Sequence, residues 1–236
     1  MRRHHRPTST SSRSRRDLRL PSLTAPRPTS PKTTPRGARP LAVAITGGIG
    51  AGKSEALRAF ARHGAATLSS DGVVHRLLRE DDEVRSAILE RFGAGVLDED
   101  GRLDRRRIGE IVFAERKQLT WLETLLHPRV VREYLGWREQ LARRPRPPAL
   151  CVTEVPLLYE AGGEKRFDAV VTITAPRDVR ARRSQAAGDE REQRLLPEEE
   201  KVRRADFAYV NSGSLEELDA FVAGVIESLT EQAGRE

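Results

Sequence analysis

Five short apolar runs, separated by longer stretches in which apolar residues recur every three or four positions, set the plan of this chain. Residues 41–46 (LAVAIT), 65–69 (AATLS), 149–154 (ALCVTE), 168–174 (DAVVTIT) and 207–211 (FAYVN) have the length and β-branched content of buried strands. The spacing between them predicts helices. Residues 55–61 continue as an amphipathic helix, and 71–92 read as helical up to Phe92-Gly93. Residues 94–103 form a loop around Asp98-Glu99-Asp100-Gly101, and 104–144 are mostly helical with a break near His127-Pro128. The Arg/Pro run at 143–148 stops that segment. Residues 177–204 are helical and rich in Arg and Glu, with a break near Ala187-Gly188. Ser214 N-caps the last helix, with Glu217 three residues on completing a capping box. Strand alternating with helix predicts an α/β fold, a five-stranded parallel sheet covered by helices. The mainly helical stretch of about 75 residues between the second and third strands is too long for a simple crossover. It reads as an insert, about 72–148, over the carboxyl ends of the strands, where such folds bind ligands.

The first strand runs straight into GGIGAGKS. Gly47, Gly52, Lys53 and Ser54 fit the G-x-x-x-x-G-K-[ST] phosphate-binding pattern, in the required setting of strand before and helix after. Glycines let backbone N–H groups turn inward around a polyanion with no Cβ in the way. The helix that follows adds its free N–H groups and positive dipole end. Lys53 can reach the β- and γ-phosphates, and the Ser54 hydroxyl can ligate Mg²⁺. The N-K-x-D motif that reads guanine is absent. At the end of the second strand stands Leu68-Ser69-Ser70-Asp71. A carboxylate there lies beside the phosphate site and can accept the proton of an attacking hydroxyl. The same Asp71 also suits a helix N-cap. His127, before Pro128, suits a helix start, since Pro is well placed at a first helical position; a contact to substrate is the other reading. Trp121 and Trp137, at helical spacing, read as packing residues.

Charge is divided unevenly. The first forty residues hold ten Arg, one Lys and one Asp, a net +10, while the whole chain is +7. Residues 41–236 are therefore about −3 by difference, so the high isoelectric point gives no ground for nucleic-acid binding by that part. Residues 1–40 are rich in Arg, Ser, Thr and Pro and lack apolar periodicity, the composition of a disordered segment. A dispensable extension is the favoured reading. A transit peptide and a mis-assigned start are others, although Met1 is the only methionine; a polyanion-binding arm would lack aromatic residues for stacking. The lone Cys151 permits no internal disulfide, suits a reducing cytosol and reads as a small core residue. No run approaches the eighteen apolar residues of a membrane span.

TGGIGAGKS, SSD before a helix, LLHPRVV at 125–131, VPLLYE at 155–160 and ADFAYVNSGSLEEL at 205–218 together resemble the dephospho-CoA kinase family, in order and spacing across residues 41 to about 230. The resemblance implies a P-loop kinase of the nucleoside monophosphate kinase type. It implies transfer of the ATP γ-phosphate, with Mg²⁺, to the ribose 3′-hydroxyl of dephospho-CoA, the final step of coenzyme A synthesis in the cytoplasm. Carried over by position, Gly47, Gly48, Ile49, Gly50, Ala51, Gly52, Lys53, Ser54 and Glu55 bind ATP, and Asn211 and Gly213 belong to the loop on its adenine. Asp71 and Lys53 are catalytic. Asp71, His127, Leu157 and Leu158 face the substrate. Glu154 stands where a Walker-B-like acid holds Mg²⁺ through water, with Ser54 as the other metal contact. Arg182 and Arg191 match arginines of a lid at about 177–196, in a stretch that also holds Arg177, Arg180, Arg183 and Arg194. Two positions depart from the pattern: Ser69 replaces a common Asp, and Leu195 a common Gln. Residues 1–40 have no counterpart. A second reading keeps the fold, another P-loop small-molecule or nucleoside kinase, and changes the acceptor to a nucleoside or another small alcohol; the helical insert decides between the two. A nucleotide-dependent assembly module holding nucleic acid on the basic tail would instead show strongly salt-dependent polyanion binding.

Overall fold

Alternation along the first strand decides the layering. In the computed structural model, which describes residues 39–184 and 195–235, β1 (Leu41–Gly47) sits at the centre of the sheet. Val43 and Ile45 turn to one face, where they pack with Val152, Val171 and Ile173 of neighbouring strands and with Phe60, Leu218 and Val222. Ala42 and Ala44 turn to the other, against Tyr134, Leu141, Cys151, Phe167 and Val170. Covered on both faces, the strand carries no polar alternation, which is why it reads as a continuous apolar run. The other strands are β2 (Ala66–Ser69), β3 (Leu150–Glu154), β4 (Ala169–Thr174) and β5 (Phe207–Val210). The order is β2-β3-β1-β4-β5 and every pairing is parallel, the five-stranded sheet expected. Parallel pairing brings Gly47, Ser69 and Glu154 to one edge. β1 lies between β3 and β4, the switch point at which ligands bind in open α/β sheets.

α1 (Lys53–Arg62) and α8 (Leu215–Arg235) cover the first face. Ser214 caps α8 as expected, its Oγ accepting from the Glu217 N–H at 3.3 Å. Between β2 and β3 come α2 (Ser70–Glu80), α3 (Asp82–Phe92), α4 (Arg105–Ala114) and α5 (Arg116–Ala142). They build a separate apolar cluster around Val73, Leu77, Val84, Ile88, Ile108, Val112 and Leu126. Trp121 packs there, edge-on to Phe92 with ring centroids 5.3 Å apart.

Two boundaries differ from the sequence reading. The helix expected over 71–92 is two helices, because the Asp81 carboxylate accepts from the Val84 N–H at 3.0 Å and starts a new one. The break expected at His127-Pro128 falls at Glu115 instead, so His127 starts no helix: it lies exposed within α5, and Pro128 is interior. An interior Pro removes one helix bond. Tertiary packing outweighs that loss, since Leu126 belongs to the insert's cluster while Tyr134 and Leu141 belong to the sheet's. One unbroken rod thereby joins the two cores. Beyond β4, α6 (Arg177–Arg183) and α7 (Glu198–Arg204) follow Pro176 and Pro197. The break expected near Ala187-Gly188 lies outside the described residues.

Cys151 is 1% exposed in the sheet core, and burial pushes its thiol up to about 11. It is a packing residue. At the other end of the sheet, Arg39 clasps Asp168 with bonds of 2.9 and 3.1 Å, and Asp168 also accepts from the Ala42 N–H at 2.8 Å. A chain shortened to start at residue 40 gives up the half-exposed Arg39–Asp168 ion pair and is expected to fold with a loss under about 1 kcal/mol. Urea unfolding of that chain beside the full one checks this; a larger loss would mean that residues before Arg39 pack on the domain.

Candidate active site

The loop after β1 leaves no room for side chains at its glycines. A Cβ on Gly47 would lie 1.9 Å from the Ile173 carbonyl oxygen, and one on Gly52 2.1 Å from Asn211 Nδ2. Gly50 and Gly52 have φ of 73° and 99°, in the left-handed region that favours glycine. Gly48 meets the Glu198 carboxylate and the Arg180 guanidinium where its Cβ would be. The turn closes on Lys53, whose Nζ donates to the Gly48 carbonyl at 2.8 Å, and α1 starts there. Burial lowers the Lys53 pKa, opposed chiefly by the nearby Glu154 charge.

Glu154, the last residue of β3, is buried, and in register it faces Ile45 on one side and Ser69 on the other. Ser54 Oγ donates to its two carboxylate oxygens at 3.1 and 3.3 Å. Burial raises the Glu154 pKa, while Lys53, Ser54 and Ser69 hold the charged form. Position 69 is thus where a second carboxylate would sit directly against Glu154; the serine hydroxyl there supports the charge instead.

Asp71 is exposed in the first turn of α2, and its charge acts on both Lys53 and Glu154. The N-cap position belongs to Ser69, so the capping role expected of Asp71 is not its own. A carboxylate in a first turn still gains from the helix dipole. Of the remaining loop residues, Ile49 is half-buried and Ala51 fully buried. The Glu55 side chain turns away to Arg58 and Arg62, at 2.9 and 3.2 Å, leaving its backbone to the loop.

The positions carried over for substrate and lid are spread more widely. Leu158 is 0% exposed in the sheet's second core cluster, so it packs inward, and its half-buried neighbour Leu157 is the more accessible. Arg182 is exposed and pairs with Asp178 at 3.0 Å on its own helix. Arg191 lies outside the described residues. Arg180 instead lies beside Gly48 and Gly50, and Arg183 beside Gly52. Arg180 Nε donates to the Ala175 carbonyl at 3.1 Å and faces Glu198 at 3.5 Å, and Arg183 Nη1 donates to the Asn211 carbonyl at 3.3 Å. Gly213 is exposed, beside the Glu217 carboxylate.

Three charged residues went unnoticed in the sequence. Glu198 is drawn against the loop with its pKa raised by burial. Lys201 is 0% exposed and pairs with Glu160 at 2.8 Å, and Glu160 also accepts from the Leu196 N–H at 2.9 Å. Among so many Arg and Glu, nothing in the local pattern marks a buried one. Lys201→Met leaves a carboxylate without its cation in a mostly buried place. The expected cost is about 3 kcal/mol in urea unfolding. A loss below about 0.5 kcal/mol, the scale of an exposed pair, would contradict the structural weight given to it.

A sequence model of the dephospho-CoA kinase family matches residues 41–217. The chain is 34% identical over 194 residues to a dephospho-CoA kinase of Aquifex aeolicus, covering 80% of this chain and 97% of that one. It is 35% identical over 198 residues to one of Thermus thermophilus, covering 81% and 93%. A crystal structure from Thermus thermophilus superposes with a TM-score of 0.64 at 35% identity, over 81% of this chain and 98% of that one. Dephospho-CoA kinase from Campylobacter jejuni superposes at 0.57 and 25% identity, over 80% and 96%. With the phosphate loop, Asp71 and Glu154 at one sheet edge and this similarity across the sheet and its insert, the chain belongs to the dephospho-CoA kinase family.

Proposed function

We propose that this chain carries out its family's reaction, transfer of the ATP γ-phosphate to the ribose 3′-hydroxyl of dephospho-CoA, with Asp71, Lys53, Ser54 and Glu154 as the working groups. The observation that carries this reading is the parallel register of β1, β2 and β3, which delivers the phosphate loop, Asp71 and Glu154 to one edge. The loop N–H groups and Lys53 receive the β- and γ-phosphates. Asp71, within electrostatic reach of Lys53, orients the acceptor hydroxyl and takes its proton. The hydroxyl oxygen bonds to the γ-phosphorus as the bond to the bridging oxygen breaks, and ADP leaves.

Ser54 Oγ and the Glu154 carboxylate, side by side, are the hard oxygen donors that suit Mg²⁺. When bound, the ion neutralises charge on the transferring phosphate. Ser54 would hold it directly and Glu154 through water.

The helices of α2–α5 are the acceptor-binding insert in this reading, with Leu157 and the exposed His127 as substrate contacts, and residues 177–196 are the lid. Arg180 and Arg183 are the better placed of its described arginines, with Arg182 and Arg191 as further phosphate contacts. The lone reduced thiol and the water-soluble substrates suit the cytosol. No helix among the described residues is long and apolar enough to cross a membrane. Residues 1–40 are a dispensable extension, and nucleic acid is no partner of the kinase domain.

An ADP-release assay across dephospho-CoA, nucleosides and small alcohols tests the acceptor: dephospho-CoA should be used in strong preference. Turnover of a nucleoside in its place would overturn that assignment. Lys53→Ala should slow transfer on the order of 10³-fold with an unchanged circular dichroism spectrum. Asp71→Asn should lower kcat by roughly 10²–10⁴-fold, the range for loss of a general base, with ADP affinity nearly unchanged. The melting temperature should hardly move, because the helix loses at most about 1 kcal/mol of dipole interaction. Wild-type turnover by Asp71→Asn would remove the aspartate from the mechanism.

A further inference from the structure

Asn211 follows β5, on the far side of the sheet from Asp71, and is 5% exposed. Its side chain does not face outward from its loop. Nδ2 donates to the carbonyl oxygen of Ala51, inside the phosphate loop, at 2.9 Å. Its backbone N–H donates to the Thr174 carbonyl at the end of β4, at 2.7 Å, and its own carbonyl accepts from Arg183 Nη1. The carboxamide lies so close that a Cβ on Gly52 would meet Nδ2 at 2.1 Å. Ala51 is wholly buried, so little water can reach its carbonyl to replace that donor.

We infer that Asn211 is a positioning residue for the phosphate loop: it holds the Ala51 carbonyl turned out of the cradle, so that the adjoining N–H groups face the nucleotide phosphates. This deepens the proposed reading and rests on it, replacing a contact to adenine with a contact to the loop. A loop that binds a polyanion through N–H groups must keep its carbonyl oxygens pointing elsewhere. Asn211 does this for Ala51 from outside the loop. The residue also ties the loop to β4 and, through Arg183, to α6, joining the adenine side of the site to its phosphate side.

The test separates phosphates from base. ADP binding is measured by calorimetry and adenosine binding by NMR titration, for the wild type, Asn211→Asp and Asn211→Ala, each checked by circular dichroism and melting temperature. Asn211→Asp keeps the shape but sets a carboxylate oxygen against the Ala51 carbonyl. Its ADP affinity should fall by about tenfold or more, the size of one buried polar group losing its partner, while adenosine affinity stays unchanged. Asn211→Ala should show the same split more weakly, and it serves alone if the aspartate variant does not fold. A parallel fall for adenosine would assign Asn211 to the base and overturn the inference. So would unchanged ADP affinity, whether or not the melting temperature drops, since that is the mark of a merely structural role. A wild type that binds no ADP would overturn the nucleotide reading together with this inference.

Discussion

Backbone polarity at the end of β1 is the constraint on which the rest of this structure depends. A loop that presents N–H groups to a polyanion has no side chains to spare and must satisfy its carbonyls elsewhere. Here Gly47 lies against the Ile173 backbone, and Gly52 against Asn211. The Gly48 carbonyl is taken by Lys53, the Ala51 carbonyl by Asn211 and the Gly52 carbonyl by the first N–H groups of α1. Those partners come from α1, β4 and the end of β5, so the loop is shaped by elements that meet only when the whole sheet has formed. The central position of β1 in the order β2-β3-β1-β4-β5 allows this.

Charge follows from the same arrangement. Arg180 faces Glu198 and Lys201 pairs with Glu160, and the Glu154 charge acts on Lys53 nearby. Burying such groups is costly unless each is paired. The ion pairs keep Arg180 and Lys201 from standing as isolated buried charges. Ser69 fits this balance. Opposite Glu154 in the β2–β3 register it supplies a hydroxyl to a carboxylate already strained by burial, where an aspartate would add a like charge.

Much of this was legible in the sequence, for identifiable reasons. The strands are apolar because both faces are covered, and the glycine spacing encodes a backbone shape directly. Asp71 and Glu154 could be placed because Glu154 closes β3 and Asp71 follows β2 by two residues, where position along the chain fixes position at the sheet edge. Legibility failed where distant contacts decide. Pro128 reads as a break, yet packing of Leu126 and Tyr134 on two cores carries the helix through it. Leu158 reads as a substrate contact beside Leu157, but one residue's step turns it into the core. Arg180, Glu198 and Lys201 look like solvated charges in a run of charges, and only the fold buries Arg180 and Lys201 and draws Glu198 against the loop. Asn211 carries no local sign that its amide reaches a residue 160 positions away.

In the proposed reaction the site at the carboxyl ends of β1, β2 and β3 moves a phosphate from ATP to one hydroxyl of dephospho-CoA. The direct measurement is phosphorus NMR of the product formed from dephospho-CoA and ATP, with ADP counted in the same reaction. One new phosphomonoester, on the ribose 3′-oxygen, is expected for each ADP released. A phosphate on another oxygen, or ADP released without any new ester, would contradict it.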